Sequence, residues 1–97
     1  MPKLVFSPQA KDDLSEIAAY IAQDKPIAAR NFVRQLRGAC QRLKAQPWAG
    51  EQCPEFSSRS YRKIVFRNYV IIYEVGGAAL QIVRVVHAAR DWGKLVD

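Results

Sequence analysis

The hydrophobic period of this chain changes once, close to Tyr61, and that change restricts the fold more than any motif does. Before it, apolar residues recur every three or four positions, the repeat of a helix with one buried face. After it they alternate or run together, as in half-buried and fully buried strands. A chain that keeps its helices in one half and its strands in the other folds as α+β, with the helices gathered on one face of an antiparallel sheet. At 97 residues there is room for one such domain, spanning 1–97.

Lys3–Phe6 reads as a short strand. Ser7-Pro8 then starts a helix: Ser7 is a good N-cap and Pro8 fits the first turn, where its missing N–H costs nothing. Asp12 and Asp13 follow near the positive helix end. Ala10, Leu14, Ile17, Ala18 and Ile21 form the apolar stripe, and the helix is expected to end near Gln23, because Lys25 precedes a proline. Pro26 opens a second helix, with Ala29, Phe32, Val33, Leu36, Cys40 and Leu43 as its stripe and Gln46-Pro47 as its stop. The short connection makes the pair an antiparallel hairpin.

Pro47, Gly50 and Pro54 mark 47–60 as a loop. Beyond it, Tyr61–Arg67, Tyr69–Val75 and Leu80–His87 are three strand-type runs, turned at Asn68 and at Gly76-Gly77. Tyr69–Tyr73 is apolar on both faces and reads as a central strand. The expected order is β-α-α-β-β-β: a two-layer domain with an antiparallel helical hairpin on a mostly antiparallel sheet.

Composition excludes several classes. Half of the residues are apolar (49%) and a quarter charged (25%), too apolar for disorder, and no run is long enough to span a bilayer. The first residues have no secretory h-region, so a cytoplasmic protein is expected. Cys40 and Cys53, with His87 as the single histidine, do not make a zinc site; Cys40 is expected in the core and Cys53 in a loop, with a disulfide between them disfavoured in a reducing compartment. No nucleophile turn, carboxylate pair or glycine-rich phosphate loop is present, and no cofactor is called for. His87, at the end of a strand, reads more readily as a hydrogen-bonded structural residue than as a catalyst.

The net charge is +6, and its placement is uneven. Between Pro8 and Asp24, Lys11 stands against Asp12, Asp13, Glu16 and Asp24, whereas Pro26 to Ala45 carries Arg30, Arg34, Arg37, Arg42 and Lys44 with no acid. A further basic group, Arg59, Arg62, Lys63 and Arg67, is interleaved with Tyr61 and Tyr69. Such a surface steers an acidic partner. A plainer account takes Tyr69 and Tyr73 as core, the arginines as solvated face, and Arg84 and Asp91 as a mutual pair.

Read together, these residues resemble a known family. Ser7-Pro8-x-Ala10-x-x-Asp13-Leu14-x-x-Ile17-x-x-Tyr20-Ile21 is similar to the first helix of the RelE/ParE toxin superfamily. Leu43 with Pro47 and Gly50, then Tyr61-Arg62, Tyr69–Tyr73, and the closing run from Ile82 to Asp91 match in the same order. The final Arg84-Val85-x-His87-x-x-Arg90-Asp91 resembles the ParE branch. The resemblance implies a type II toxin that poisons DNA gyrase by binding, without hydrolytic chemistry and without direct nucleic-acid contact outside the complex. It also implies neutralisation by a cognate, ParD-like ribbon-helix-helix antitoxin with an acidic amphipathic tail.

The rival branch, RelE, cleaves mRNA on the ribosome and needs cations around the phosphate. Lys63 and Arg90 match two of that branch's cations, but Val65 and Val70 stand where it carries a lysine and an arginine. Its C-terminal tyrosine has no equivalent beside Trp92 and Lys94, and Ala88 rather than tyrosine follows His87. The resemblance therefore points to target contacts at His87, Arg90, Asp91 and Trp92, with Arg59, Arg62, Lys63 and Arg67. Antitoxin contacts are expected at Tyr20, Arg30, Arg34 and Arg37, with packing in the core as the alternative for Tyr20.

Overall fold

The computed structural model of the chain describes residues 3–53 and 60–89. Its elements are β1 (Lys3–Phe6), α1 (Pro8–Ala22), α2 (Pro26–Ala45), β2 (Glu51–Gln52), β3 (Tyr61–Phe66), β4 (Tyr69–Val75) and β5 (Ala79–His87). The strands form one sheet in the order β1-β5-β4-β3-β2, and both helices pack on one face of it. The expected two-layer α+β architecture is what the chain adopts.

The caps act as their sequence implies. Ser7 Oγ accepts the Ala10 N–H at 3.0 Å, with Pro8 in the first turn. The same hydroxyl donates to the Val83 carbonyl at 2.7 Å, so one side chain both starts α1 and ties it to β5. Pro26 opens α2 without a side-chain cap.

Two features differ from the periodicity reading. The segment read as a loop contains β2, whose Glu51 and Gln52 pair with Lys63 and Arg62. Two exposed polar residues offer no alternation to detect, and they form a strand only because β3 lies beside them. The second feature is the pairing of β1, which runs parallel to β5 from Lys3↔Ala79 to Phe6↔Ile82. The helical hairpin supplies the crossover that a parallel pair requires. All other pairings are antiparallel.

The main core lies between the layers. Ala10, Leu14 and Ile17 of α1 and Leu36, Ala39, Cys40 and Leu43 of α2 meet Ile71, Tyr73, Leu80, Ile82 and Val85 of the sheet. Val85 is out of phase with Leu80 and Ile82. A bulge in the β4–β5 ladder opposite Ile72 and Tyr73 resets the alternation, so all three reach the same core. A second, smaller cluster on the outer face joins Cys53, Val70, Ile72 and Val86. β4 is therefore buried on both sides, as its unbroken apolar run predicts.

Cys40 belongs to the inner cluster and Cys53 to the outer one, and both are free thiols. The sheet between them rules out a disulfide. Cys53 follows β2 outside regular structure, as expected of a loop residue, yet it is only 2% exposed.

Tyr73 explains Pro47 and Gly50. Fully buried, its hydroxyl donates to the Pro47 carbonyl and accepts the Gly50 N–H, both at 2.8 Å. A Cβ on Gly50 would lie 2.5 Å from that hydroxyl and 2.7 Å from the Lys63 carbonyl, so only glycine fits.

Candidate functional site

The expected contact residues do not form one cluster. His87 and Arg67 share one end of the sheet, because β5 ends beside the β3–β4 turn: the Ala88 N–H donates to the Asn68 carbonyl at 2.8 Å. Arg62 and Lys63 lie nearer the other end of β3, opposite Tyr73 and Ile72. Arg59, Arg90, Asp91 and Trp92 lie outside the described residues.

His87 is exposed and faces Tyr69 across the ladder, the rings edge to face at 5.4 Å. Its Nδ1 accepts the Ala89 N–H at 3.1 Å, which leaves Nε2 to carry the ring proton. Tyr69 in turn packs edge-on against Phe32 at 5.4 Å. Partial burial, and to a lesser degree the nearby Tyr20 hydroxyl, pushes the Tyr69 phenol above its usual range. Glu16, Ile17, Tyr20, Tyr69 and His87 line a shallow cavity of about 160 Å³ here. Tyr20 is 72% exposed, which settles its alternative: it is not core.

Arg67 occupies the first position of the β3–β4 turn with φ 55°, a left-handed conformation usually left to glycine or asparagine. Its guanidinium lies over Phe32 and Phe66, 5.8 and 5.5 Å from the ring centres, and donates to the Gln35 side chain. Arg62 donates to the Gly50 and Trp48 carbonyls at 2.7 and 3.3 Å and lies over the Trp48 ring. It therefore fastens the segment between α2 and β2. Lys63 is half-buried opposite Glu51.

On α2, Arg30 and Arg34 are exposed, and Arg37 is exposed with its guanidinium 5.1 Å from the centre of the Phe6 ring. Arg84 pairs with Asp13 rather than only with residues near it in sequence. Nε and Nη2 contact the two carboxylate oxygens at 2.8 and 2.9 Å. The Val85 N–H donates to the same carboxylate at 2.8 Å. This hydrogen bonding raises the guanidinium's already high pKa. The suggested Asp91 partner lies outside the described residues.

The valines at the two RelE-type cation positions are not alike. Val70 is buried in the outer cluster, but Val65 is 68% exposed. It belongs to the edge of the sheet beyond β2. Near it lies a feature the sequence does not reveal, a cavity of about 440 Å³ between α2 and β3. Its lining residues, which come from α2, β3 and Ala49 before β2, read in the sequence as ordinary core and helix surface.

Comparison with known proteins agrees with this geometry. The family described as the ParE toxin of the type II toxin–antitoxin system, parDE, matches residues 4–92. The chain is 34% identical over 91 residues to a Caulobacter vibrioides protein named Toxin RelE2, covering 93% of this chain and 99% of that one. A solved structure titled "Chromosomal ParDE TA system from P. aeruginosa" superposes with a TM-score of 0.77 at 20% identity, covering 90% and 96% of the two chains. With that pattern spanning both helices and the sheet, the chain belongs to the ParE family of type II toxins.

Proposed function

We propose that this toxin acts by binding DNA gyrase, without chemistry of its own, and that a ParD-like ribbon-helix-helix antitoxin silences it in the cytoplasm. The observation that carries this reading is the pair Val65 and Val70. Transfer at a phosphate needs preorganised positive charge around the non-bridging oxygens. One of these positions is sealed in an apolar cluster and the other bears an exposed aliphatic side chain. His87, a single exposed imidazole, does not replace two missing cations. The name RelE2 borne by one relative does not alter these residues. The basic face of α2 suits an acidic antitoxin tail, with Tyr20, Arg30, Arg34 and Arg37 as contacts; His87, Arg67, Lys63 and the C-terminal residues are the target contacts.

Pulse labelling after induction of the toxin alone tests the reading. DNA synthesis is expected to stop first, with a DNA-damage response, and His87→Ala is expected not to abolish toxicity through lost catalysis. An early stop in translation that His87→Ala prevents would establish a ribosomal nuclease instead.

A further inference from the structure

The turn between β3 and β4 has two central residues, Arg67 and Asn68, and only the first takes a positive φ, 55°. A hairpin that places its positive φ at the first central residue ordinarily has glycine there. Asn68, the better of the two for such angles, stands one position too late. Among the described residues no other non-glycine residue has a positive φ. A strained residue persists where its surroundings over-determine it, and such residues cluster at ligand clamps.

The Arg67 side chain is already fixed. Its guanidinium spans Phe32 and Phe66, 5.8 and 5.5 Å from the ring centres, and those two rings meet edge to face at 5.6 Å. One Nη2 donor goes to the Gln35 side chain. The rest of the five-donor fork meets no acceptor among the described residues, and no carboxylate pairs with it there. A free arginine loses rotamer freedom when it binds; here two rings and an amide have removed that freedom beforehand.

The surroundings select what the fork takes. Tyr69 packs against Phe32 and His87 against Tyr69, so a row of rings runs from Arg67 to the end of β5. Arginine among aromatic rings is the composition of a protein interface core. A carboxylate matches the fork with two parallel hydrogen bonds. A nucleic-acid backbone would need several cations in a row. Arg67 instead touches Phe32, Phe66 and Gln35, and the far end of the ring row carries the Glu16 carboxylate, beside Tyr69 and His87.

We propose that Arg67 is a preorganised anchor for a carboxylate side chain on the gyrase surface, with the rings of Phe66, Phe32, Tyr69 and His87 as the apolar contact beside it. This rests on the gyrase reading above and deepens it, by naming one anchoring residue and the chemistry of its counterpart.

The test measures the affinity of the toxin for gyrase, with and without DNA, and for the antitoxin, at about 0.3 M salt, where long-range attraction is screened. Arg67→Gly suits the turn and is expected to keep its urea midpoint, since relief of backbone strain offsets the lost ring contacts. It is expected to bind gyrase about tenfold to a hundredfold more weakly, with or without DNA, the effect of one charge-assisted pair. Arg67→Lys keeps the charge without the planar fork and falls between the two. Arg67→Glu sets like charges together and binds about threefold or more below Arg67→Gly. Antitoxin affinity of Arg67→Gly stays within about twofold of wild type.

A folded Arg67→Gly that binds gyrase like wild type overturns the proposal and leaves the gyrase reading standing. Arg67→Glu that binds no worse than Arg67→Gly overturns the carboxylate. A loss seen only when DNA is present assigns the fork to a phosphate and overturns it as well. A fall in antitoxin affinity with gyrase affinity unchanged gives Arg67 to the antitoxin instead. If Arg67→Gly is destabilised, Arg67→Lys decides: wild-type gyrase affinity in the folded lysine variant overturns the fork. If the wild-type toxin does not bind gyrase, that reading falls and the anchor falls with it.

Discussion

Tyr73 shows how a polar atom is carried into an apolar core without cost. Its hydroxyl has one donor and one acceptor, and both come from the segment that links α2 to β2. Tyr73→Phe keeps the ring but strands the Pro47 carbonyl and the Gly50 N–H. A loss of about 1–3 kcal/mol is expected, measured by urea unfolding. A change below experimental error would mean that water replaces the hydroxyl. Cys40 makes a different demand. Burial pushes its thiol from 9.0 up to about 12, against the pull of Arg37 and Arg42. The unfolded thiol loses its proton near 9.0 while the folded one keeps it to about 12, so between these values the native state binds more protons. Cys40 therefore contributes stability that is intact below pH 9 and declines as pH rises, by up to about 1.4 kcal/mol per pH unit. Cys40→Ala is expected to start less stable, through the cavity it leaves, and to lose stability less steeply above pH 9. Parallel unfolding curves for the two proteins would rule out that contribution.

At the scale of elements, the shortness of β1 creates a problem that α1 solves. β1 covers β5 only as far as Ile82, and the next carbonyl and amide would otherwise lack partners. Ser7 takes the Val83 carbonyl, and Asp13 takes the Val85 N–H together with the Arg84 guanidinium. A helix thus stands in for the missing length of strand. Asp13→Ala is expected to cost about 2–4 kcal/mol, less than a fully buried pair because both side chains keep some solvent contact. Asp13→Asn should cost roughly half as much, since its amide oxygen still accepts the Val85 N–H. Equal losses from both would show that the charge, not the backbone bond, is what matters. Local pattern explains which elements the sequence made legible. Ala10 to Ile21 and Ala29 to Leu43 each repeat over several turns, and Tyr69–Tyr73 has the unbroken apolar run of a central strand. The Ser7-Pro8 and Pro26 starts are also local chemistry. β2, the parallel β1–β5 register and the Asp13–Arg84 pair are not. Each joins residues far apart in the chain, and Asp13 read alone is only a carboxylate favoured near a helix start. Of the candidate site, His87 at a strand end was legible. The cavity between α2 and β3 was not, because its lining joins residues far apart in the chain.

Across the whole molecule, charge and shape have separable roles in partner binding. On the reading proposed above, the exposed arginines of α2 attract an acidic segment from a distance, and short contacts at the bound surface hold it once it has arrived. The two contributions belong to different rate constants. Long-range attraction raises the association rate and is screened by salt; short hydrogen bonds and a filled cavity slow dissociation and are much less sensitive to salt. Reversing Arg30, Arg34 and Arg37 to glutamate changes the charge by 6, taking +6 to 0. Association with the antitoxin at low salt should then slow by roughly tenfold to a hundredfold, with the gap closing near 0.5 M salt. Fold stability should change little, apart from about 0.5–1 kcal/mol for the lost Arg37–Phe6 contact. Stopped-flow mixing of wild type and the triple variant with the antitoxin across a salt series separates the two rate constants. If the triple reversal leaves complex formation unchanged, α2's arginine face is not the approach surface. The steering would then have to come from the basic residues of β3 and its turn, Arg62, Lys63 and Arg67.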